Sequence, residues 1–280
     1  MAVRKTNHPR PLTKFKGPLL LLGAGKMGQA LLDGWLARGL APKKIAAIDP
    51  QPAKSVKAIA RRGLALNPKK APQAQAIVIA VKPQTAPEAV PPLAASAGKG
   101  TLVVSIMAGR TLAFLEERLP KGTAIVRAMP NTPAAIGRGI TVAVANKNVS
   151  RSQRKLATDL LAATGAVEWV DDETLMDAVT AVSGSGPAYV FLLAETMAQA
   201  GIAAGLPPAL AAKLARETVA GSGELLHRSP LEAATLRQNV TSPGGTTAAA
   251  LEVLMGPGGF DALLTKAIAA ATRRGRELAG

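Results

Sequence analysis

Short runs rich in β-branched and aliphatic residues alternate with helical patterns from Pro18 to about Val170, and none follows Asp171. The runs are Leu19 to Leu22, Lys44 to Ile48, Ala76 to Val81, Thr101 to Ile106, Thr123 to Val126, Thr141 to Val144 and Ala166 to Val170. Strands separated by helices cannot pair as tight hairpins. They are joined by crossovers, which predicts a mostly parallel sheet with helices on its faces. Beyond Asp171 the pattern is long helix punctuated by Gly-Pro and Pro-Gly, so the second half is expected to be all-helical.

The chain has 280 residues, 48% of them hydrophobic, which is enough to bury a core in each of two domains. Only 2% are aromatic, so Ala, Val, Leu and Ile must build that core. There is no cysteine, which excludes disulfides, thiolate nucleophiles and Cys-bearing metal sites and fits a reducing compartment. With only His8 and His227, far apart in the chain, no metal site is expected. The formal charge of +16 raises the question of nucleic acid, but the excess is thinly spread and few aromatics are present to stack on bases. The densest basic run is residues 1–16, with Arg4, Lys5, Arg10, Lys14 and Lys16, and it is expected to be a disordered tail. Neither a signal peptide nor a membrane span is expected, since the most apolar helical stretch carries Glu195 and Gln199. A cytoplasmic protein without nucleic-acid or membrane partners is the expectation.

The first run leads into Gly23-Ala24-Gly25-Lys26-Met27-Gly28 and then into a helix whose inner face would carry Met27, Ala30, Leu31 and Gly34. Strand, G-x-G-x-x-G and helix in that order is a dinucleotide-binding fingerprint. Gly23 permits the tight turn, Gly25 lets backbone approach a pyrophosphate, and Gly28 lets helix and strand pack closely. The run ending at Ile48 delivers Asp49 about 20 residues further on, where an acid hydrogen-bonds the adenosine ribose of NAD and repels the extra phosphate of NADP. Two alternatives stay open: Asp49 before Pro50 is also ordinary turn chemistry, and Lys54 and Lys57 are near enough in sequence to hold a phosphate. The expected fold is thus an α/β Rossmann-like dinucleotide-binding domain over 17–171 followed by an all-α domain over 172–280.

Four further segments are chemically suggestive. Val81-Lys82-Pro83-Gln84 ends an apolar strand at the carboxyl edge of the sheet, where open α/β folds bind ligands. Met129-Pro130-Asn131-Thr132-Pro133-Ala134 ends another. Ser185-Gly186-Pro187 reads as a helix start with proline in the first turn. Thr241-Ser242-Pro243-Gly244-Gly245-Thr246-Thr247 precedes a helical run from Ala248 to Met255, which makes it either a plain cap or an anion site at a helix N-terminus.

With the glycine loop, these segments make the chain closely resemble pyrroline-5-carboxylate reductase over residues 18 to about 275. The resemblance implies NADP or NAD as cofactor, 1-pyrroline-5-carboxylate as substrate and an all-α dimerisation domain, assembled as homodimers or as decamers built of dimers. It implies that Lys26 and Met27 of the loop, and Asn67, Val81, Lys82, Pro83, Ala108 and Asn239, contact the cofactor. By the same resemblance Ser242, Gly245 and Thr246 hold the substrate carboxylate, the Thr247 hydroxyl meets the ring nitrogen, and Glu173 faces that cationic nitrogen. Asp49-Pro50-Gln51 departs from the basic or hydroxyl residues many relatives carry, which leaves the usual NADPH preference open here. The rival expectations are another NAD(P)-dependent reductase of a small imine or hydroxy acid, which would want a proton-transfer residue this chain does not offer, and a dinucleotide sensor or nucleic-acid binder without turnover.

Overall fold

Leu19–Leu22 (β1) is all leucine and buried at every residue, which only the middle of a sheet covered on both faces allows. A computed structural model describes residues 11–279 of the chain. Its strands are β1, Ile45–Ile48 (β2), Ala65–Leu66 (β3), Ala76–Ile79 (β4), Leu102–Ser105 (β5), Ala124–Met129 (β6), Gly139–Ala145 (β7) and Gly165–Trp169 (β8). They form one 8-stranded sheet in the order β3-β2-β1-β4-β5-β6-β7-β8. β1 to β6 pair in parallel, and β7 returns antiparallel to β6 before β8 pairs parallel to it.

The helices of this half are Lys26–Ala37 (α1), Lys54–Ala60 (α2), Ala86–Ala89 (α3), Leu112–Glu116 (α4), Arg151–Leu161 (α5) and Met176–Val179 (α6). Alternation along β1 divides the core. Leu19 and Leu21 pack with Leu31, Leu32 and Trp35 of α1, Val56 and Ile59 of α2, and Leu160 and Leu161 of α5. Leu20 and Leu22 pack on the other face with Ala86, Val90, Leu93 and Leu115. The buried stripe of α1 is Gly28, Leu31, Leu32 and Trp35; of the expected face Leu31 is fully buried, Met27 packs partly against the core and Gly34 lies close on Ala163. Trp35 anchors it, fully buried with its indole N–H donating to Leu160 O at 2.9 Å.

Part of the segment expected to be a disordered basic tail, residues 1–16, is folded. Residues 1–10 lie outside the described residues, but Leu12–Lys14 forms a 3-10 turn, and Leu12 and Phe15 are buried in the sheet's core. Leu12 N–H donates to Arg38 O at 2.8 Å, and Lys44 Nζ donates to Phe15 O. The apolar pair, three residues apart, outweighs the charged residues around it.

By internal contacts the chain divides into two compact units, residues 185–271 and residues 11–184 together with 272–279. By contacts the division falls at 184/185. Met176 and Ala181 are buried, and Glu173 bonds back to the sheet, so the first helical turns after β8 belong to the sheet unit. The other unit contains Gly186–Ala203 (α7), Pro208–Arg228 (α8), Ala233–Asn239 (α9) and Thr246–Met255 (α10), and it begins Phe260–Ala279 (α11). It is helical throughout, as expected. α7 and α8 close on small residues, a Cβ on Gly201 lying 3.3 Å from that of Ala211. Yet α7, α9 and α10 bury none of their residues, and Phe191, Leu192, Val253 and Met255 stand exposed.

Candidate active site

The strand order reverses between β1 and β4, and open parallel sheets bind ligands at such a switch point. The glycine loop leaves β1 here. Gly23 has φ +88, and a Cβ on it would lie 2.7 Å from Ala80 O at the end of the neighbouring strand. A Cβ on Gly28 would lie 2.2 Å from Gly23 O. Those two glycines are demanded by the protein's own backbone. Gly25 is not: it has ordinary dihedrals as N-cap of α1, and its Cβ would meet nothing within 4 Å. The space before Gly25 is open, and the start of α1 faces it with no side-chain cap and no acid in its first turn. An uncapped helix start offers unpaired N–H groups and about half a positive charge, which suits a pyrophosphate. Lys26 is exposed beside it, while Met27 turns partly into the core.

Asp49, just beyond β2, is tied to this loop. Its Oδ2 accepts from Ala24 N–H at 2.7 Å, and its Oδ1 accepts from Gln51 N–H at 2.7 Å. One oxygen makes the turn through Pro50, and the other fastens the glycine loop. Asn67, the one non-glycine residue with positive φ among the described residues, at +48, clamps the same peptide. Its Oδ1 accepts from Asp49 N–H and its Nδ2 donates to Asp49 O, each at 2.8 Å. The Asn67 side-chain amide thus holds Asp49 in place.

Along the same edge, β4 stops at Ile79, before half-buried Val81, and Lys82 is the exposed N-cap of a 3-10 turn starting at Pro83. Pro83 and exposed Ala108 line a cavity of about 380 Å³ together with Gly109, Arg110, Asp177 and Thr180. Arg110, which no motif marked, donates from Nε to Pro83 O at 3.0 Å and stacks 4.7 Å from the Phe114 ring centroid.

Glu173 also sits in the sheet unit. Its Oε1 accepts from Arg127 Nη1 and from Leu112 N–H, both at 2.8 Å. The Arg127 side chain is 5% exposed and that of Glu173 28%. An arginine inside the aliphatic run Ala124–Met129 needs a buried counter-charge, and that was the available signal for this pair. Next to it, the Thr174 hydroxyl, and after it the Thr174 N–H, hold the Asp172 carboxyl below its ordinary value.

The remaining candidates lie in the helical unit. Gly245 N–H donates to Ser242 O at 3.0 Å, Gly244 has φ +68, and this turn ends on Gly245 as N-cap of α10. No side chain caps α10. Ser242 and Thr246 are exposed and Thr247 is half-buried in the first turn, so hydroxyls and backbone N–H groups gather at one helix end. Asn239 is exposed at the last position of α9. The structure thus gathers Gly23, Gly25, Gly28, Asp49 and Asn67 in the sheet unit, and Ser242, Gly245, Thr246 and Thr247 in the helical unit. Among the described residues no group of three or more His, Cys, Asp or Glu is placed to hold a metal, and no helix is long and apolar enough to cross a membrane.

Comparison with known proteins accounts for both halves. Residues 173–278 match the family described as pyrroline-5-carboxylate reductase dimerisation, and residues 19–109 match that described as NADP oxidoreductase coenzyme F420-dependent. The pyrroline-5-carboxylate reductase of Pseudomonas aeruginosa is 41% identical over 264 residues, covering 93% of this chain and 96% of that protein. The solved pyrroline-5-carboxylate reductase of Coxiella burnetii superposes with a TM-score of 0.86 at 34% identity, covering 94% of this chain and 98% of that one. A pyrroline carboxylate reductase of Plasmodium falciparum, solved with NADP bound, gives a TM-score of 0.78 at 29% identity over 95% of this chain and 99% of that one.

Proposed function

The chain belongs to the pyrroline-5-carboxylate reductase family, and from that premise we infer that it reduces the C=N bond of 1-pyrroline-5-carboxylate to give proline, with NAD(P)H as hydride donor. The observation that carries the cofactor half of this reading is Gly25. Two glycines of the loop are explained by contacts inside the protein, whereas the third, the N-cap of α1, has open space before it that leaves its backbone free for a ligand to approach. The residues present fit a dinucleotide: an uncapped helix start for the pyrophosphate, an acid at the end of β2 for a ribose, and an open strand edge for the ring.

In the roles we assign, the backbone from Gly23 to Gly28, with Lys26 and Met27, holds the pyrophosphate, and Asp49 holds the adenosine ribose with Asn67 behind it. Val81, Lys82, Pro83 and Ala108 line the nicotinamide half, and Asn239 contacts the cofactor from the helical unit. When bound, the reduced nicotinamide supplies the hydride that the imine carbon accepts. The uncapped start of α10 holds the substrate carboxylate through the N–H groups and hydroxyls of Ser242, Gly245 and Thr246. The Thr247 hydroxyl accepts the N–H of the protonated ring nitrogen. Glu173, anchored through Oε1 by Arg127 and Leu112, offers Oε2 to the same cationic nitrogen. A protonated imine is already a good acceptor, so positioning supplies most of the rate and no histidine is required.

We further propose that the exposed apolar residues of α7 and α10 are covered in a homodimer, with decamers built from such dimers as the larger assembly. Light scattering on a sizing column distinguishes the two. We also propose a cytoplasmic location. The test of the activity is oxidation of NADPH and of NADH at 340 nm with pyrroline-5-carboxylate, beside a hydroxy acid with oxidised cofactor. Turnover confined to the imine is expected, and turnover of the hydroxy acid alone would replace this reading with the rival reductase.

A further inference from the structure

We propose that this enzyme selects NADH over NADPH, and that Asp49, held in place by Asn67, is the residue that does so. The proposal rests on the reductase reading above and names which of the two cofactors that same site takes.

The Asp49 carboxylate cannot swing aside. Oδ2 holds the N–H of Ala24 within the glycine loop and Oδ1 holds that of Gln51, while Asn67 grips the Asp49 peptide at both N–H and C=O. Moving the side chain would leave a loop N–H without its acceptor, and moving the backbone would break the Asn67 clamp. Asn67 accepts a left-handed φ of +48 to make that clamp, and its own N–H is fixed to Ala47 O at 2.8 Å. The acid is therefore fastened to the loop that would receive a pyrophosphate, through Ala24, one position from Gly25.

The two cofactors differ at one group, the adenosine 2′ position. In NADH this is a hydroxyl, a donor to the lone pairs a carboxylate has left after accepting one N–H on each oxygen. In NADPH it is a phosphate with about two negative charges and, at neutral pH, little to donate. An immobile carboxylate beside it adds repulsion rather than a hydrogen bond. Tolerating the phosphate would require a cation against Asp49, and none of the ion pairs among the described residues involves it. Lys54 and Lys57 of α2 are both exposed, and neither is paired with Asp49. With two charges at contact distance in a half-exposed setting, discrimination of about 10- to 100-fold follows.

The experiment measures binding, without substrate, by calorimetry of the purified enzyme. ADP-ribose is compared with its 2′-phosphate, so that only the adenosine end is read, and NADH with NADPH by nicotinamide fluorescence. The non-phosphorylated member of each pair is expected to bind about 10- to 100-fold more tightly at low salt, with the ratio shrinking as salt is raised. Asp49→Asn keeps the shape and removes the charge, and is expected to cut the ratio at least about fivefold, mainly by improving binding of the phosphorylated ligands. Equal or tighter binding of the phosphorylated ligands by the wild-type enzyme would overturn the proposal, whether or not the variant folds. A ratio unchanged in Asp49→Asn would overturn the assignment to Asp49. Failure of all four ligands to bind would overturn the dinucleotide reading itself, a result distinct from a reversed ratio.

Discussion

Alanine at Gly25 and alanine at Gly28 add the same methyl group three residues apart, and the structure predicts opposite consequences. At Gly25 the new Cβ meets nothing within 4 Å, and the dihedrals, φ −67 and ψ −170, suit any residue. Reduced freedom in the unfolded chain gains about 0.4–1 kcal/mol, and a poorer N-cap loses a similar amount. Stability should therefore stay within about 1 kcal/mol, or a few degrees in Tm. The same methyl, however, fills the space where the pyrophosphate meets the backbone. Losing hydrogen bonds to a charged group costs about 1.5–3 kcal/mol each, so cofactor affinity should fall by about 100-fold or more. At Gly28 the Cβ lands 2.2 Å from Gly23 O, a backbone atom that cannot rotate away. The cost lies at or above the upper end of the overpacking range, about 3 kcal/mol, and Tm should drop by roughly 6–12 °C. Thermal melts and a fluorescence titration with NADH or NADPH read both quantities. A Gly25→Ala enzyme that binds cofactor within about threefold of wild type would refute the phosphate-loop assignment, and one that melts as early as Gly28→Ala would refute the geometry.

Other perturbations separate structural from functional roles. Deleting residues 1–16 removes Leu12 and Phe15 from the core, and is expected to cost several kcal/mol and lower Tm markedly, since loss of a buried Phe alone costs about 3–5 kcal/mol; an unchanged melt would mean the turn does not pack as described. Thr247→Ala should reduce turnover of pyrroline-5-carboxylate at least about tenfold while cofactor affinity stays put, and equal losses in both would count against its place at the ring nitrogen. Glu173→Ala strands the buried Arg127 charge and should cost about 2–3 kcal/mol, below the usual figure for a broken buried pair because Glu173 is 28% exposed. Glu173→Gln, which keeps an acceptor for Arg127 and Leu112, should instead melt nearly normally and raise the KM for the imine; a normal KM would assign Glu173 to structure alone.

How much of this was legible beforehand depended on how local the cause was. The glycine loop, β1 and α1 are readable because dihedral freedom and close approach leave a mark at fixed spacing, and Pro187 marks the start of α7 for the same reason. Strands buried on both faces stand out as aliphatic runs, so the observed strands fall within a few residues of those expected. β3 escaped because two residues, Ala65 and Leu66, carry no period, and the reversal of β7 escaped because direction is a property of pairing. Leu12 and Phe15 were hidden by the lysines around them; their burial depends on a core assembled from distant parts of the chain, which the local sequence does not announce. In the site, Asp49 was visible at its distance past the glycines, but its bonds to Ala24 and Asn67 span 25 and 18 residues. Arg127 and Glu173, 46 residues apart, meet only because β6 and the turn after β8 are brought together by the sheet.

The central claim is that this chain passes a hydride from a nicotinamide to the imine carbon of pyrroline-5-carboxylate. The most direct test is a single turnover with reduced cofactor doubly deuterated at nicotinamide C4, followed by mass spectrometry of the product. The account predicts proline carrying deuterium at the former imine carbon, formed in step with cofactor oxidation. Cofactor oxidation without labelled proline, or no reaction from folded enzyme, would contradict it.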